Sequence, residues 1–154
     1  MPTIVAKTPI KPFPIALVIS RFNEEITDRL YHGALERLQE LNVPDDFITA
    51  LWVPGAIEIP LAAQQLAKTK NFRAIITLGA VIRGETDHYD YVCSQVSHGC
   101  SRVSLDTEVP VIFGVLTTDT EEQALARSGG AHSHKGREAI DAAFSMVSVL
   151  EQIA

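Results

Sequence analysis

The chain has 154 residues, 46% hydrophobic and 21% charged, enough apolar material for one ordinary globular core and without the bias of a disordered segment. A formal charge of −6 and a pI near 5.3 leave too few Lys and Arg, nowhere clustered, to neutralise a phosphate backbone, so nucleic acid is excluded as a partner. The N-terminus "MPTIVAKTPI" lacks the charged start and apolar stretch of a signal peptide, and "AIITLGAVI" is far short of the roughly 20 apolar residues that span a bilayer, so no membrane is expected.

After a short proline-containing segment, residues 1–12, the run "FPIALVIS" has the length and β-branching of a strand ending at Ser20. Ile26, Leu30, Ala34, Leu38 and Leu41 then form the stripe of an amphipathic helix, with Asn23 as its expected cap. "FITALWV" is the second predicted strand, broken by Pro54 and Gly55 before a helical stretch containing Ile57, Leu61, Ala62 and Leu66. Pro60 fits only the first turn of that helix.

"AIITLGAVI" is the third strand, and Val92, Val96, Cys100 and Val103 mark the buried face of the helix after it. Cys93 and Cys100 on that helix would have Cα atoms about 10.5 Å apart at the helical rise. A disulfide reaches only about 7 Å, and free thiols fit a reducing cytoplasm. "VIFGVLT" is the fourth strand, and Thr120-Glu121-Glu122-Gln123 has the pattern of a capping box that starts a short helix. That helix stops near Ser128-Gly129-Gly130, and a last one carries Ile140, Ala143, Phe144, Val147 and Leu150 on one stripe.

Strand and helix alternate four times, and the strands are continuously apolar, as strands buried on both faces are. The expected fold is therefore α/β, a three-layer α/β/α arrangement around a four-stranded parallel sheet, in one domain over residues 1–154. Right-handed crossovers would bring the loops 21–23, 54–58, 83–88 and 117–120 to one edge of the sheet, where ligands of such folds bind.

Several residues in these loops bear chemistry, and each has a plain structural reading beside it. Gly84, Glu85 and Thr86 sit where a strand hands over to a helix whose first amides lack partners, a setting that attracts anions. Equally, Thr86 or Asp87 caps that helix. The Glu85 carboxylate would repel an anion there, so its side chain is expected to face away. His88, in the first helical turn, is suited to moving protons, or is an ordinary surface histidine. Phe22 offers a ring to a flat heterocycle, or staples the helix that follows. Glu58 can bind hydroxyls, or answers the helix dipole.

Phe113, in mid-strand, reads as core by residue type. Arg127 and Lys135 flank "SGGAHSH", a glycine-rich turn able to bring both cations to one anion. His132 and His134 have no ligand spacing with the cysteines, so no metal is expected. There is no Gly-x-Ser-x-Gly elbow, no Walker loop and no Gly-x-Gly-x-x-Gly after strand one, which removes the commonest hydrolase and nucleotide readings.

Taken together, "SRFNEEITDRLYHGAL", "VPGAIEIPLAA", "LGAVIRGETDHYDYV", "PVIFGVLTTDTEEQALARSG" and "HKGREAIDAA" resemble the lumazine synthase family along essentially the whole chain. The resemblance implies a flavodoxin-like sheet and a transferase of riboflavin biosynthesis. The reaction it implies condenses 5-amino-6-ribitylaminouracil with 3,4-dihydroxy-2-butanone 4-phosphate to 6,7-dimethyl-8-ribityllumazine, phosphate and water, with no cofactor and no metal.

It further implies that Phe22 stacks on the pyrimidine, that Ala56, Ile57 and Glu58 hold the ribityl chain, and that Val81 and Ile82 hold the ring edge. Gly84, Glu85, Thr86 and Arg127 would hold phosphate, and His88 would shuttle protons. Phe113, Arg127 and Lys135 would reach the site from a neighbouring subunit of a pentamer, with decamers and icosahedral shells as larger forms and riboflavin synthase as a candidate partner. Residues 1–12 would pair with a neighbour's sheet.

The chain departs from the usual family pattern at Ile57, where many members carry an aromatic. Glu85 replaces a smaller residue, and His134 stands where an Asn is common. Two other readings fit part of the pattern. An archaeal-type riboflavin synthase would need no phosphate contacts, and a flavin-binding container would need neither His88 nor Arg127.

Overall fold

The computed structural model describes residues 1–130 and 132–154. The expected turn over residues 129–134 includes Ala131, which lies outside the described residues. Four strands, β1 (Ile15–Ser20), β2 (Ile48–Val53), β3 (Ala74–Ile82) and β4 (Val111–Thr118), form one sheet in the order β2-β1-β3-β4 with every pairing parallel. Five helices connect and flank them: α1 (Glu24–Glu40), α2 (Ile59–Lys68), α3 (His88–Thr107), α4 (Glu121–Ala126) and α5 (Lys135–Ile153). This is the expected three-layer, flavodoxin-like α/β/α fold.

Alternation along the strands divides the core in two. Ile15, Leu17 and Ile19 of β1 face the layer of α1 and α5, where they meet Leu30, Ala34, Ile140 and Phe144. Ala16 and Val18 face the layer of α2 and α3 and meet Ile59, Ala63, Val96 and Cys100. Because both faces are covered, all six residues of β1 are buried, which is why its sequence shows no polar alternation.

The stripe of α3 falls where periodicity puts it, with Val92, Val96, Cys100 and Val103 buried, and that of α1 holds for Ile26, Leu30, Ala34 and Leu38, whereas Leu41 lies past the helix at its C-cap and is only partly buried. α2 differs. A 3-10 turn at Ala56–Glu58 precedes it, and its buried residues are Ile59, Ala63 and Ala67, whereas Ile57 and Leu61 are exposed. Small alanines let this helix lie close to the sheet beside Ile59, and Leu61 faces outward.

The expected side-chain cap at Asn23 is not made. Asn23 occupies the N-cap position of α1 in the left-handed region, at φ 62°, and its side-chain amide instead donates to the Ala80 carbonyl of β3 at 2.9 Å. The capping box at α4 forms as expected: the Thr120 hydroxyl accepts from the Gln123 N–H, and the Gln123 side chain accepts from the Thr120 N–H. Cys93 and Cys100 are free thiols, and among the described residues no helix is long and apolar enough to cross a membrane.

Candidate active site

At the carboxyl edge of the sheet, the turns after β1, β2 and β3 surround a cavity of about 480 Å³. It is built from backbone outward. The Arg21 and Phe22 N–H groups donate to the carbonyls of Val53 and Pro54, at 2.8 and 3.0 Å, which ties the first turn to the second. The Asn23 amide on Ala80 ties it to the third. Held on both sides, Phe22 projects its ring at the cavity mouth and is 71% exposed, so it does not act as a hydrophobic staple.

Nine of the candidate site residues line this one cavity. Phe22, Ile57 and Glu58 form its outer rim, with Ala56, Val81 and Ile82 more deeply placed. Gly84, Thr86 and His88 close the side at the start of α3. A Cβ on Gly84 would meet nothing within 4 Å among the described residues, so chain packing does not demand the glycine. A bare backbone there leaves room for a ligand to approach closely.

The amides that open α3 are only weakly claimed by side chains. Asp87, the N-cap residue, makes no capping bond, and the Thr86 hydroxyl accepts from the His88 N–H at a long 3.4 Å. The cap that residue type suggested is therefore largely absent, and the helix terminus faces the cavity with donors available to an anion. Glu85 is exposed and does not line the cavity, which keeps its carboxylate from competing for those donors.

Phe113, Arg127 and Lys135 do not join this cavity within one chain. Phe113 lies on the edge strand β4, partly buried beside the α2–α3 layer. Arg127 and Lys135 line a separate hollow of about 320 Å³ together with Thr117 and Thr118, so the fourth loop opens there instead. The backbones of these two residues are joined, the Lys135 N–H donating to the Arg127 carbonyl at 2.8 Å. The Arg127 guanidinium is steadied by its bond to the Gln123 carbonyl at 2.9 Å.

Sequence reasoning passed over Tyr89 and read Val92 only as core, though both form part of the cavity wall, and it gave Asn23 the wrong partner. The helical period could have found Tyr89, since it lies three residues before Val92 and seven before Val96 on the same face, but nothing local announces the Asn23 bond to a residue 57 positions away. Among the described residues no group of three or more His, Cys, Asp or Glu is arranged to hold a metal ion.

A family model described as 6,7-dimethyl-8-ribityllumazine synthase matches residues 12–151, which takes in every part of both hollows described above. The chain belongs to the lumazine synthase family. Curated relatives agree with this. A 6,7-dimethyl-8-ribityllumazine synthase from Coxiella burnetii (strain Dugway 5J108-111) is 57% identical over 141 residues, covering 92% of this chain and 93% of that protein. The proteins of the same name from the strains CbuG_Q212 and RSA 493 / Nine Mile phase I are each 56% identical over the same lengths. The lumazine synthase match thus spans the elements that position Phe22, Glu58, His88, Arg127 and Lys135.

Proposed function

We propose that this chain is a 6,7-dimethyl-8-ribityllumazine synthase, condensing 5-amino-6-ribitylaminouracil with 3,4-dihydroxy-2-butanone 4-phosphate and releasing phosphate and water in riboflavin biosynthesis. The observation that carries the reading is the cavity itself. In a member of this family, an exposed aromatic ring, an acidic rim and an uncapped helix terminus bearing a histidine surround one space.

In this reading Phe22 stacks on the pyrimidine, and Ala56, Ile57 and Glu58 hold the ribityl chain. Val81 and Ile82 bound the ring edge, while Gly84, Glu85 and Thr86 present backbone and hydroxyl to the phosphate. The nucleophile is the aromatic amine of one substrate, so the enzyme needs no covalent nucleophile of its own. His88 takes and returns protons as the imine forms, as phosphate leaves and as water is lost on ring closure. Arg127 and the α3 terminus stabilise the departing phosphate dianion. Most of the acceleration then comes from holding two reactants in line, an effect on the order of 7–11 kcal/mol.

The proposal includes assembly. Phe113, Arg127 and Lys135 serve the cavity of a neighbouring copy in a homo-oligomer, a pentamer, with an icosahedral shell as its larger form and residues 1–12 adding to a neighbour's sheet. The position of Arg127 and Lys135 in a separate hollow of the single chain, and of Phe113 on an edge strand outside the cavity, supports this arrangement. The reading also places the protein in the cytoplasm.

The test is to mix purified protein with both substrates and follow lumazine by absorbance and fluorescence, with Arg127→Ala beside it. Rapid product formation that the variant loses supports the reaction and the phosphate role together. Riboflavin binding without turnover would overturn the synthase reading in favour of a flavin container.

A further inference from the structure

Arg83 precedes the anion-binding turn directly and would be the obvious cation for a phosphate held by Gly84 and Thr86. Its side chain is nevertheless turned out of the cavity, which it does not line. The guanidinium lies over the Tyr89 ring, 4.3 Å from its centroid. Nε donates to Asp119 Oδ1 at 2.8 Å, and Nη1 stands 3.6 Å from Asp90 Oδ1. The Arg83 N–H also donates to the Thr118 carbonyl at 2.9 Å.

These contacts join three places. Asp119 follows β4, Tyr89 and Asp90 belong to the first turn of α3, and Arg83 itself follows β3. Each pair alone is a surface interaction of small value, because exposed charges are screened and long side chains lose entropy on pairing. A planar guanidinium that is stacked and forked at once is different, because its geometry is fixed by several partners together. Tyr89 also lines the cavity, so the cation stacks on a ring that borders the ligand space.

We propose that Arg83 is a positioning residue for the phosphate turn, a clamp that fixes the ends of β3 and β4 against the start of α3 and so aims the backbone amides at Gly84, Glu85 and Thr86. The inference rests on the phosphate reading of that turn given above. Two carboxylates already answer the charge of Arg83, which leaves little of it for a ligand. What the clamp supplies is orientation, and displacement of a binding group by an ångström is costly to a reaction that depends on alignment.

The experiment compares Arg83→Lys, Arg83→Gln, Asp119→Asn, the double variant Arg83→Gln/Asp119→Asn, and Thr86→Ala and Arg127→Ala as references. Each is sized, melted and assayed for kcat, for the KM of both substrates and for inhibition by inorganic phosphate. The clamp predicts that Arg83→Gln raises the KM of the phosphorylated substrate and the phosphate Ki about tenfold, with the KM of the aminouracil little changed. Arg83→Lys should fail to rescue, because an ammonium cannot stack and fork as a guanidinium does. Asp119→Asn should weaken phosphate in the same direction, and the double variant should be no worse than Arg83→Gln.

A direct cation would behave oppositely: Asp119→Asn would release Arg83 and tighten phosphate, and Arg83→Lys would rescue. That pattern overturns the proposal. So does an unchanged phosphate Ki in Arg83→Gln while Thr86→Ala weakens it, an outcome that leaves the phosphate turn intact. If Thr86→Ala and Arg127→Ala both leave the Ki unchanged, the phosphate reading of the turn falls and the clamp with it.

Discussion

His134 closes the turn that carries Arg127 and Lys135, and its ring occupies the space that a Cβ on Gly33 of α1 would take. Its Nδ1 is buried without a partner among the described residues. Burial first, then the neighbouring Arg137, hold the imidazolium below its usual range, against smaller opposing effects of Glu36 and Glu138. With the folded value depressed, the unfolded chain binds the extra proton, so this histidine's contribution to stability is whole above the unfolded value near 6.5 and declines as pH falls toward the folded one. The urea midpoint should therefore drop between about pH 7.5 and about pH 5.5, and drop less in His134→Asn, as fluorescence-detected unfolding will measure. For the reaction, His88→Ala should slow turnover by roughly 10²–10⁴-fold without abolishing it, whereas Arg127→Ala should cripple use of the phosphorylated substrate. Steady-state rates in the reverse order would overturn that division of roles. Cys100, its thiol pushed up to about 11 by burial, should resist iodoacetamide until the chain unfolds, as mass spectrometry of the labelled peptides will show.

The short helix α4 matters beyond its length because Arg127 stands at its C-cap. Thr120→Ala removes the hydroxyl that accepts from Gln123, which should cost about 0.5–2 kcal/mol. The same change should raise the KM of the phosphorylated substrate more than that of the aminouracil, since the guanidinium loses its platform; chemical denaturation and kinetics check both halves. The box was legible in the sequence because capping is local chemistry: four consecutive residues contain both partners. The stripes of α1 and α3 were legible for the same reason. α2 was not, because a helix with two apolar faces gives no local sign of which one meets its own sheet. Only packing distinguishes the close-fitting Ala63 and Ala67 from Leu61, which is 65% exposed. Asn23 was misjudged for a related reason, since residue type suggests a cap while the partner that claims the side chain lies on another strand.

For the whole molecule, four parallel strands follow from βα alternation, yet alternation says nothing about strand order or about where a site is completed. One chain keeps Phe22 and His88 in one hollow and Arg127 and Lys135 in another. If copies share a site, co-assembly of His88→Ala chains with Arg127→Ala chains should yield more activity than the mean of the two alone, because some sites then receive both natural halves. An assembled mixture that merely averages them would overturn the shared site. The central strands have a further consequence. Both faces and both edges of β1 and β3 are covered, while the groups that meet ligand stand on turns at one end. Amides of the two inner strands should therefore trade hydrogen for deuterium only when the entire chain opens, and those of the turns by small local excursions. Slow exchange in the middle beside fast exchange at the rim would give a natural clock by which ligand-induced protection could be timed, residue by residue, without disturbing the fold.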